Sequence, residues 1–202
     1  MARLMLVHGQ IWTPNMPRKP ANVRMMNKAI DYLGRYASSR HKLGQILQRF
    51  ANRKLTDYQA ADIAVAIQQT IDQCSQLGYV DDRQFAVTVA RSERRLGRSQ
   101  SVIRRRLRQH ALSEDIITYA VGEVDENVAN GDLQAAIRFA QRRRLGPFAK
   151  RRSSHHQRLK PHQWKKRDLG AMARAGFPLV ISQQVLDHDD PDTINDLLRQ
   201  IE

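Results

Sequence analysis

Residues 78–86 read GYVDDRQFA, and this stretch separates two helices. Gly78 follows a run of apolar residues spaced three or four apart, at the position where a helix end favours a left-handed residue. Asp81 is placed to cap the next helix, with Gln84 three residues later as in a capping box. Asp82 falls in the first turn, where the helix dipole stabilises a carboxylate. The sequence therefore predicts that the aspartate pair forms a helix junction, not a metal site or an acid–base pair.

Signals of the same kind recur along the chain. Only 10 Gly and 7 Pro occur in 202 residues, which favours helices over a sandwich of many short strands. Three helical patterns precede Gly78, three similar ones follow it, and another round begins near residue 130. Tandem units of about 50–60 residues stack on one another instead of sharing one core. The predicted fold class is all-α, an elongated array of tandem three-helix repeats.

The boundaries of these units follow from the prolines and charge runs between them. Pro14, Pro17 and Pro20 interrupt any helix near the start. The predicted units are a disordered basic tail (1–23), three-helix repeat 1 (24–78), repeat 2 (79–127), repeat 3 (128–187) with a basic insertion at about 146–163, and a C-terminal helical extension (188–202).

The positive charge is concentrated in two blocks. Residues 89–111 carry eight arginines and one glutamate, and residues 138–167 carry twelve lysines or arginines and no acid. The two blocks therefore hold +19, whereas the whole chain holds +14, so the remainder is at −5. Concentration of this kind attracts a polyanion, although solvated helix faces that aid solubility are the simpler alternative.

Helical spacing indicates which arginines face outward. On the predicted helix 99–110, Ile103 and Leu107 face inward, so its arginines fan across the exposed side. Arginine forks suit phosphates and carboxylates alike. The candidate contact residues for a partner or for DNA are Arg94, Arg95, Arg98, Arg104, Arg105, Arg108, Arg142, Arg143, Arg144, Lys150, Arg151, Arg152, Lys165, Lys166 and Arg167.

No pattern predicts catalysis, a metal or a cofactor. His155, His156 and His162 cluster, but they stand in a basic block without carboxylates or thiolates, which would repel a divalent cation. The acidic stretch 187–192 lacks the turn glycine and the bidentate glutamate of a calcium loop. No nucleophile has a base at a recognisable spacing, and no Gly-rich phosphate loop occurs.

The compartment follows from cysteine usage and hydropathy. The single Cys74 excludes an internal disulfide and fits a reducing cytosol. No stretch approaches the roughly 18 continuous apolar residues that a membrane helix needs. We expect a cytoplasmic protein without membrane contact.

Three stretches resemble the RecX family of bacterial regulatory proteins, which modulate the RecA recombinase. They are GYVDDRQFA (78–86), RSERRLGRSQSVIRRRLRQHALSEDIITYAV (91–121) and KKRDLGAMARAGFPLVISQQVL (165–186). The resemblance covers about residues 24–187, so the tail at 1–23, the long segment at 146–163 and residues 188–202 are departures from the family pattern. It implies tandem three-helix repeats, binding in the groove of the RecA filament on DNA, and restraint of ATP hydrolysis and strand exchange.

The resulting hypothesis is a non-enzymatic modulator, acting as a monomer, whose partners are the RecA filament and DNA through mainly sequence-independent phosphate contacts. Tyrosine and tryptophan are too sparse for a base-stacking platform. One alternative is a helix-turn-helix-like regulator that places helix 99–110 in a major groove. Another alternative is a basic protein associated with RNA or the ribosome.

Overall fold

The computed structural model describes residues 19–125, 130–149, 161–188 and 190–201, together with the short segments 6–7 and 10–11. Within these residues the chain forms ten α-helices and one antiparallel pair of two-residue strands. The strands are β1 (Leu6–Val7) and β2 (Gln10–Ile11), and the helices are α1 (Ala21–Leu33), α2 (Arg40–Lys54), α3 (Ala60–Gln76), α4 (Asp82–Arg95), α5 (Gln100–Arg108), α6 (Glu114–Asp125), α7 (Gly131–Arg143), α8 (Pro161–Arg174), α9 (Leu179–Leu186) and α10 (Pro191–Ile201).

The helices group in threes, and each group surrounds its own apolar core. We name the groups repeat 1 (α1–α3), repeat 2 (α4–α6) and repeat 3 (α7–α9). Leu43 and Leu47 are buried in the first core and Ile103 and Leu107 in the second, as their spacing predicts. The third core also takes in Ile194 of α10, so the last helix completes it. The all-α fold of tandem three-helix repeats is therefore confirmed.

Three boundaries differ from the sequence prediction. Helix α1 begins at Ala21, directly after Pro20, because a residue at a helix entrance does not need the N–H that proline lacks. Strands β1 and β2 pair within the segment predicted to be a disordered tail. Helix α8 begins at Pro161, inside the range predicted as an insertion, since proline is well suited to the first helical position.

The junction GYVDDRQFA has the predicted geometry. Gly78 has a φ of 74°, in the left-handed region, and directly follows Leu77, the C-cap residue of α3. The Asp81 carboxylate accepts a hydrogen bond of 3.0 Å from the backbone N–H of Gln84, so it caps α4. Asp82 has a further role that its position in the first turn does not reveal, since it contacts repeat 1.

Two hydrogen bonds hold repeat 2 on repeat 1. Ser39 caps α2 by accepting from the N–H of Lys42, and its hydroxyl donates to the carbonyl of His110 at the end of α5 (3.3 Å). The next backbone N–H, that of Arg40, donates to the Asp82 carboxylate (2.8 Å). We call this serine–aspartate arrangement joint 1. It connects the start of the second helix of one repeat to two elements of the next repeat.

The same arrangement holds repeat 3 on repeat 2, and we call it joint 2. Ser99 caps α5 by accepting from the N–H of Val102, and its hydroxyl donates to the carbonyl of Ala175 after α8 (2.8 Å). The N–H of Gln100 donates to the Asp132 carboxylate in the first turn of α7 (2.7 Å). Both serines are fully buried, and their hydroxyl hydrogen bonds are partly shielded from water, whereas the bond from Gln100 to Asp132 is exposed.

Ala111 carries backbone strain in joint 1. Its φ of 53° lies in the left-handed region, which costs an L residue about 1–2 kcal/mol. In joint 2 the same place, one residue after the accepting carbonyl, is held by Gly176 with a φ of 82°. We expect Ala111→Gly to raise the free energy of unfolding by about 0.5–1 kcal/mol, because the relief of strain exceeds the entropy that glycine loses on folding.

Urea denaturation tests this prediction. The control is Ala64→Gly on the exposed side of α3, where glycine is expected to cost about 1 kcal/mol. A loss of stability in Ala111→Gly as large as that of the control would contradict the assignment of strain to Ala111.

Candidate functional site

Arg94 lies at the contact between repeats 2 and 3 and not on the outer surface where the sequence placed it. Its side chain is only 12% exposed. The guanidinium donates to Asp125 at 2.7 and 3.0 Å and to Asp132 at 2.7 Å, and it also donates to the carbonyl of Arg98. Because each of the three guanidinium nitrogens has an acceptor within the chain, Arg94 holds the repeats together instead of offering a charge to a partner.

The arginines of α5 face outward as predicted, but they are not equally available. Arg108 forms a two-pronged ion pair with Glu114 (2.6 and 3.2 Å), which lowers the pKa of that carboxyl. Arg104 donates to the hydroxyl of Thr118 (3.2 Å) and lies 3.8 Å from the same carboxylate. Arg105 is exposed and has no ion pair with any described residue. The net charge of this surface, which we call the α5 face, is therefore smaller than the sequence suggests.

A second basic surface lies beside joint 1. Arg98 and Arg106 share the carboxylate of Glu93 at 3.7 and 4.0 Å, distances of weak ion pairs. Burial lowers the pKa of His110 in the same region, and the positive charges of Arg106, Lys42 and His41 lower it further. Lys42, Glu93, Arg106 and His110 border a groove of about 360 Å³ that also has Tyr36 on its wall. The lining of the groove thus combines two cations and one carboxylate with aromatic side chains.

Four arginines form a third surface between α4 and α7, which we call the α4–α7 arginine groove. Arg91 and Arg95 of α4 and Arg138 of α7 line a cleft of about 330 Å³. Arg142 lies one turn further along α7, so close to Gly97 that a Cβ atom there would come within 2.8 Å of its Nη2 atom. Arg91 and Arg138 are not among the contact residues predicted from the sequence. The i, i+4 spacing of 91 with 95 and of 138 with 142 could have revealed them.

The remaining predicted residues lie on repeat 3. Arg142, Arg143 and Arg144 end α7 and are all exposed, and the guanidinium of Arg143 lies 6.0 Å from the ring centre of Phe139. Arg144 has a φ of 55° and marks the end of the helix.

Of the other predicted basic residues, three lie on α8 and three fall outside the described residues. Lys165 pairs with Asp187 (2.8 Å), Lys166 is exposed, and Arg167 stacks on the ring of Trp164 at 4.4 Å. Lys150, Arg151 and Arg152 lie outside the described residues. The predicted basic residues that the structure describes therefore lie on several separate surfaces, and Arg94 is held in ion pairs between repeats 2 and 3.

The described residues were compared with two other kinds of site, a metal centre and a membrane-spanning helix. They contain no group of three or more histidine, cysteine, aspartate or glutamate side chains placed to share a metal ion. No helix among them is both long enough and apolar enough to cross a membrane.

A stack of three-helix repeats with arginines on several faces defines an α-helical repeat protein with a basic surface. The chain is 30% identical over 176 residues to regulatory protein RecX of Myxococcus xanthus, covering 86% of this chain and 90% of that one. Regulatory protein RecX of Agrobacterium fabrum is 25% identical over 161 residues, covering 79% and 80% of the two chains. The chain belongs to the RecX family. No protein-family model matches it.

Solved structures support the fold. A crystal structure of regulatory protein RecX superposes with a TM-score of 0.62 at 13% identity, covering 83% of this chain and 72% of that one. RecX from Lactobacillus salivarius superposes with a TM-score of 0.60 at 14% identity, covering 90% and 98%. The repeat architecture is thus shared with proteins whose sequences differ at most positions.

Proposed function

We propose that this protein is a non-enzymatic regulator that binds the RecA–DNA filament in the cytoplasm and inhibits its recombinase and ATPase activities. The observation that carries the proposal is kinship along nearly the whole chain with proteins named regulatory protein RecX. The separated arginine surfaces also support it, because a ligand that lies along a stack of repeats meets more than one face.

A helix-turn-helix mode of DNA binding is less well supported. In that mode the N-terminal residues of the recognition helix contact base edges in the major groove. Here Ser99, at the start of α5, is fully buried and its hydroxyl donates to Ala175 of repeat 3. Ser99 is therefore engaged within the chain and cannot contact bases, whereas Gln100 and Ser101 beside it are exposed.

The direct test measures ATP hydrolysis by RecA on single-stranded DNA while the protein is titrated in. We expect hydrolysis to fall as the protein is added. Affinity capture from a bacterial lysate, with and without nuclease, identifies the partner. RecA as the main captured protein in both samples supports the proposal, whereas ribosomal proteins lost on nuclease treatment would indicate an RNA-associated protein.

A triple charge reversal tests whether the α5 face takes part. Arg104, Arg105 and Arg108 are replaced together by glutamate. Folding is expected to survive with a modest loss of stability, because the ion pairs of Arg104 and Arg108 with Glu114 are at the surface and such pairs contribute little. Half-inhibition of the RecA ATPase is expected to need about tenfold more protein, because this face then repels phosphates and acidic side chains alike.

The matched control reverses Arg49, Arg53 and Lys54, three exposed residues of α2, which changes the net charge by the same amount. An equal loss of inhibition in both variants would attribute the effect to net charge. Unchanged inhibition by the α5 variant would exclude the α5 face from the contact.

A further inference from the structure

We propose that the groove beside joint 1 is a docking site for a peptide segment of a partner protein, one that carries both carboxylates and an apolar or aromatic side chain. We call it the joint 1 groove. Its aromatic lining consists of Tyr32, Tyr36, Phe85 and His110, and its charged lining consists of Lys42, Glu93 and Arg106. The proposal rests on the proposed function, since the protein subunits of the filament would supply the segment.

The aromatic rings of the groove come from both repeats. Tyr32 and Tyr36 of repeat 1 lie with their ring centres 5.4 Å apart, and Phe85 of repeat 2 meets the ring of His110 at 5.0 Å. Tyr36 is 59% exposed. An apolar side chain seated beside it would remove aromatic surface from water, which favours binding.

The contact between the repeats does not require these rings. Joint 2 has the same serine and aspartate hydrogen bonds as joint 1. The place of Phe85, three residues after the aspartate, is held in joint 2 by Ala135. The place of His110, at the accepting carbonyl, is held by Ala175. Because two repeats can be joined with alanine in both places, stacking of the repeats does not account for the rings of joint 1.

The charges of the groove favour an acidic segment. Lys42 has no ion pair with any described residue. The one carboxylate of the lining, that of Glu93, lies 4.0 Å from Arg106 and 3.7 Å from Arg98, which stands outside the groove. Burial and the nearby cations lower the pKa of His110, so at neutral pH it adds a ring and not a charge. The cations thus outnumber the carboxylate, and a carboxylate of the segment would meet a free ammonium group.

The orientation of the rings favours a peptide over a nucleic-acid base. A base stacks on the face of an aromatic ring. The planes of Tyr32 and Tyr36 are tilted by 37°, and those of Phe85 and His110 by 78°, so neither pair forms a slot between parallel rings. Amino-acid side chains contact ring faces and edges alike. The volume of about 360 Å³ is at the lower end of the range of about 300–1,000 Å³ for ligand pockets, which suits a few side chains of an extended segment.

The test uses the full chain and a fluorescein-labelled random copolymer of glutamate and tyrosine, with binding followed by fluorescence anisotropy. Tyr36→Ala with Lys42→Gln is compared with Tyr79→Ala with Lys54→Gln, an exposed tyrosine and an exposed lysine that do not line the groove. We expect the first pair to weaken binding at least about fivefold and the control pair less than about twofold, because interface energy is concentrated in a few residues. Folding should be kept, since the substitution retains the backbone N–H of Lys42 that donates to Ser39.

Four outcomes would overturn the proposal. Equal losses in both variants would show that the copolymer binds through surface charge and rings in general. Equal affinity of the wild-type chain for poly-glutamate without tyrosine would show that the rings take no part. An equally large loss of affinity for a single-stranded oligonucleotide would show that the groove takes nucleic acid, and failure of the wild-type chain to bind the copolymer would exclude an acidic peptide.

The RecA ATPase is measured separately, so that the two proposals can fail independently. A chain that binds the copolymer through the joint 1 groove but leaves RecA unaffected would contradict only the proposed function. A chain that inhibits RecA equally well with and without the Tyr36 and Lys42 substitutions would exclude the groove from the filament contact.

Discussion

Replacement of Arg94 by alanine is expected to lower the free energy of unfolding by about 3 kcal/mol. The substitution leaves Asp125 and Asp132 without the guanidinium that pairs with both, and their side chains are only 23% and 18% exposed. Removal of one partner of a buried ion pair costs about 3–5 kcal/mol, and the lower end applies here because water reaches these carboxylates in part. The loss should weaken the contact between repeats 2 and 3 first.

Arg95→Ala is the matched control, because the neighbouring side chain carries the same charge but is exposed and forms no ion pair with a described residue. Its effect on stability should lie within about 0.5 kcal/mol. Urea denaturation followed by circular dichroism measures both variants. Two equal curves would mean that the ion pairs of Arg94 contribute nothing to stability. Arg94→Lys should recover only part of the loss, since lysine cannot form the forked contact.

Gly176→Ala is expected to lower the free energy of unfolding by about 2–3 kcal/mol. The left-handed backbone at φ 82° costs an alanine about 1–2 kcal/mol. The added Cβ atom would also come within 2.6 Å of the Ser99 hydroxyl oxygen, which donates to the neighbouring carbonyl of Ala175. Loss of that hydrogen bond adds about 1 kcal/mol.

Gly122→Ala provides the control for the same change of side chain. Gly122 is exposed on α6, has no positive φ, and a Cβ atom there would meet nothing within 4 Å. Alanine at this position should stabilise the helix by about 0.5–1 kcal/mol. The joint geometry would be disproved if Gly176→Ala had the same favourable effect. Ala111→Gly, in the equivalent place of joint 1, should raise the free energy of unfolding, whereas Gly176→Ala should lower it.

The features that could be predicted from the sequence are those set by neighbours along the chain. The cap formed by Asp81, the stop at Gly78 and the inward positions of Ile103 and Leu107 depend on residues within one or two helical turns. The structure agrees with each of them. Local patterns of this kind also suffice to place the helices in groups of three.

The features that could not be predicted depend on which helices meet. Asp82 looks like an ordinary first-turn aspartate, yet it accepts from Arg40, 42 residues away. Arg94 and Arg95 are adjacent and chemically identical, but one is buried in ion pairs and the other is exposed, because only Arg94 is directed toward Asp125 of α6 and Asp132 of α7. The arginine groove likewise exists only once the register of α4 against α7 is known.

The two joints have a consequence for how the length of such a chain can vary. Each joint uses a buried serine and the backbone N–H after it from one repeat, and a first-turn aspartate and a carbonyl at a helix end from the next. The side of repeat 2 that contacts repeat 3 therefore matches the side of repeat 1 that contacts repeat 2. A unit that carries these four groups can be inserted or removed without a new kind of interface. Lengthening by whole units would extend the array in steps of one repeat and preserve the angle between successive units.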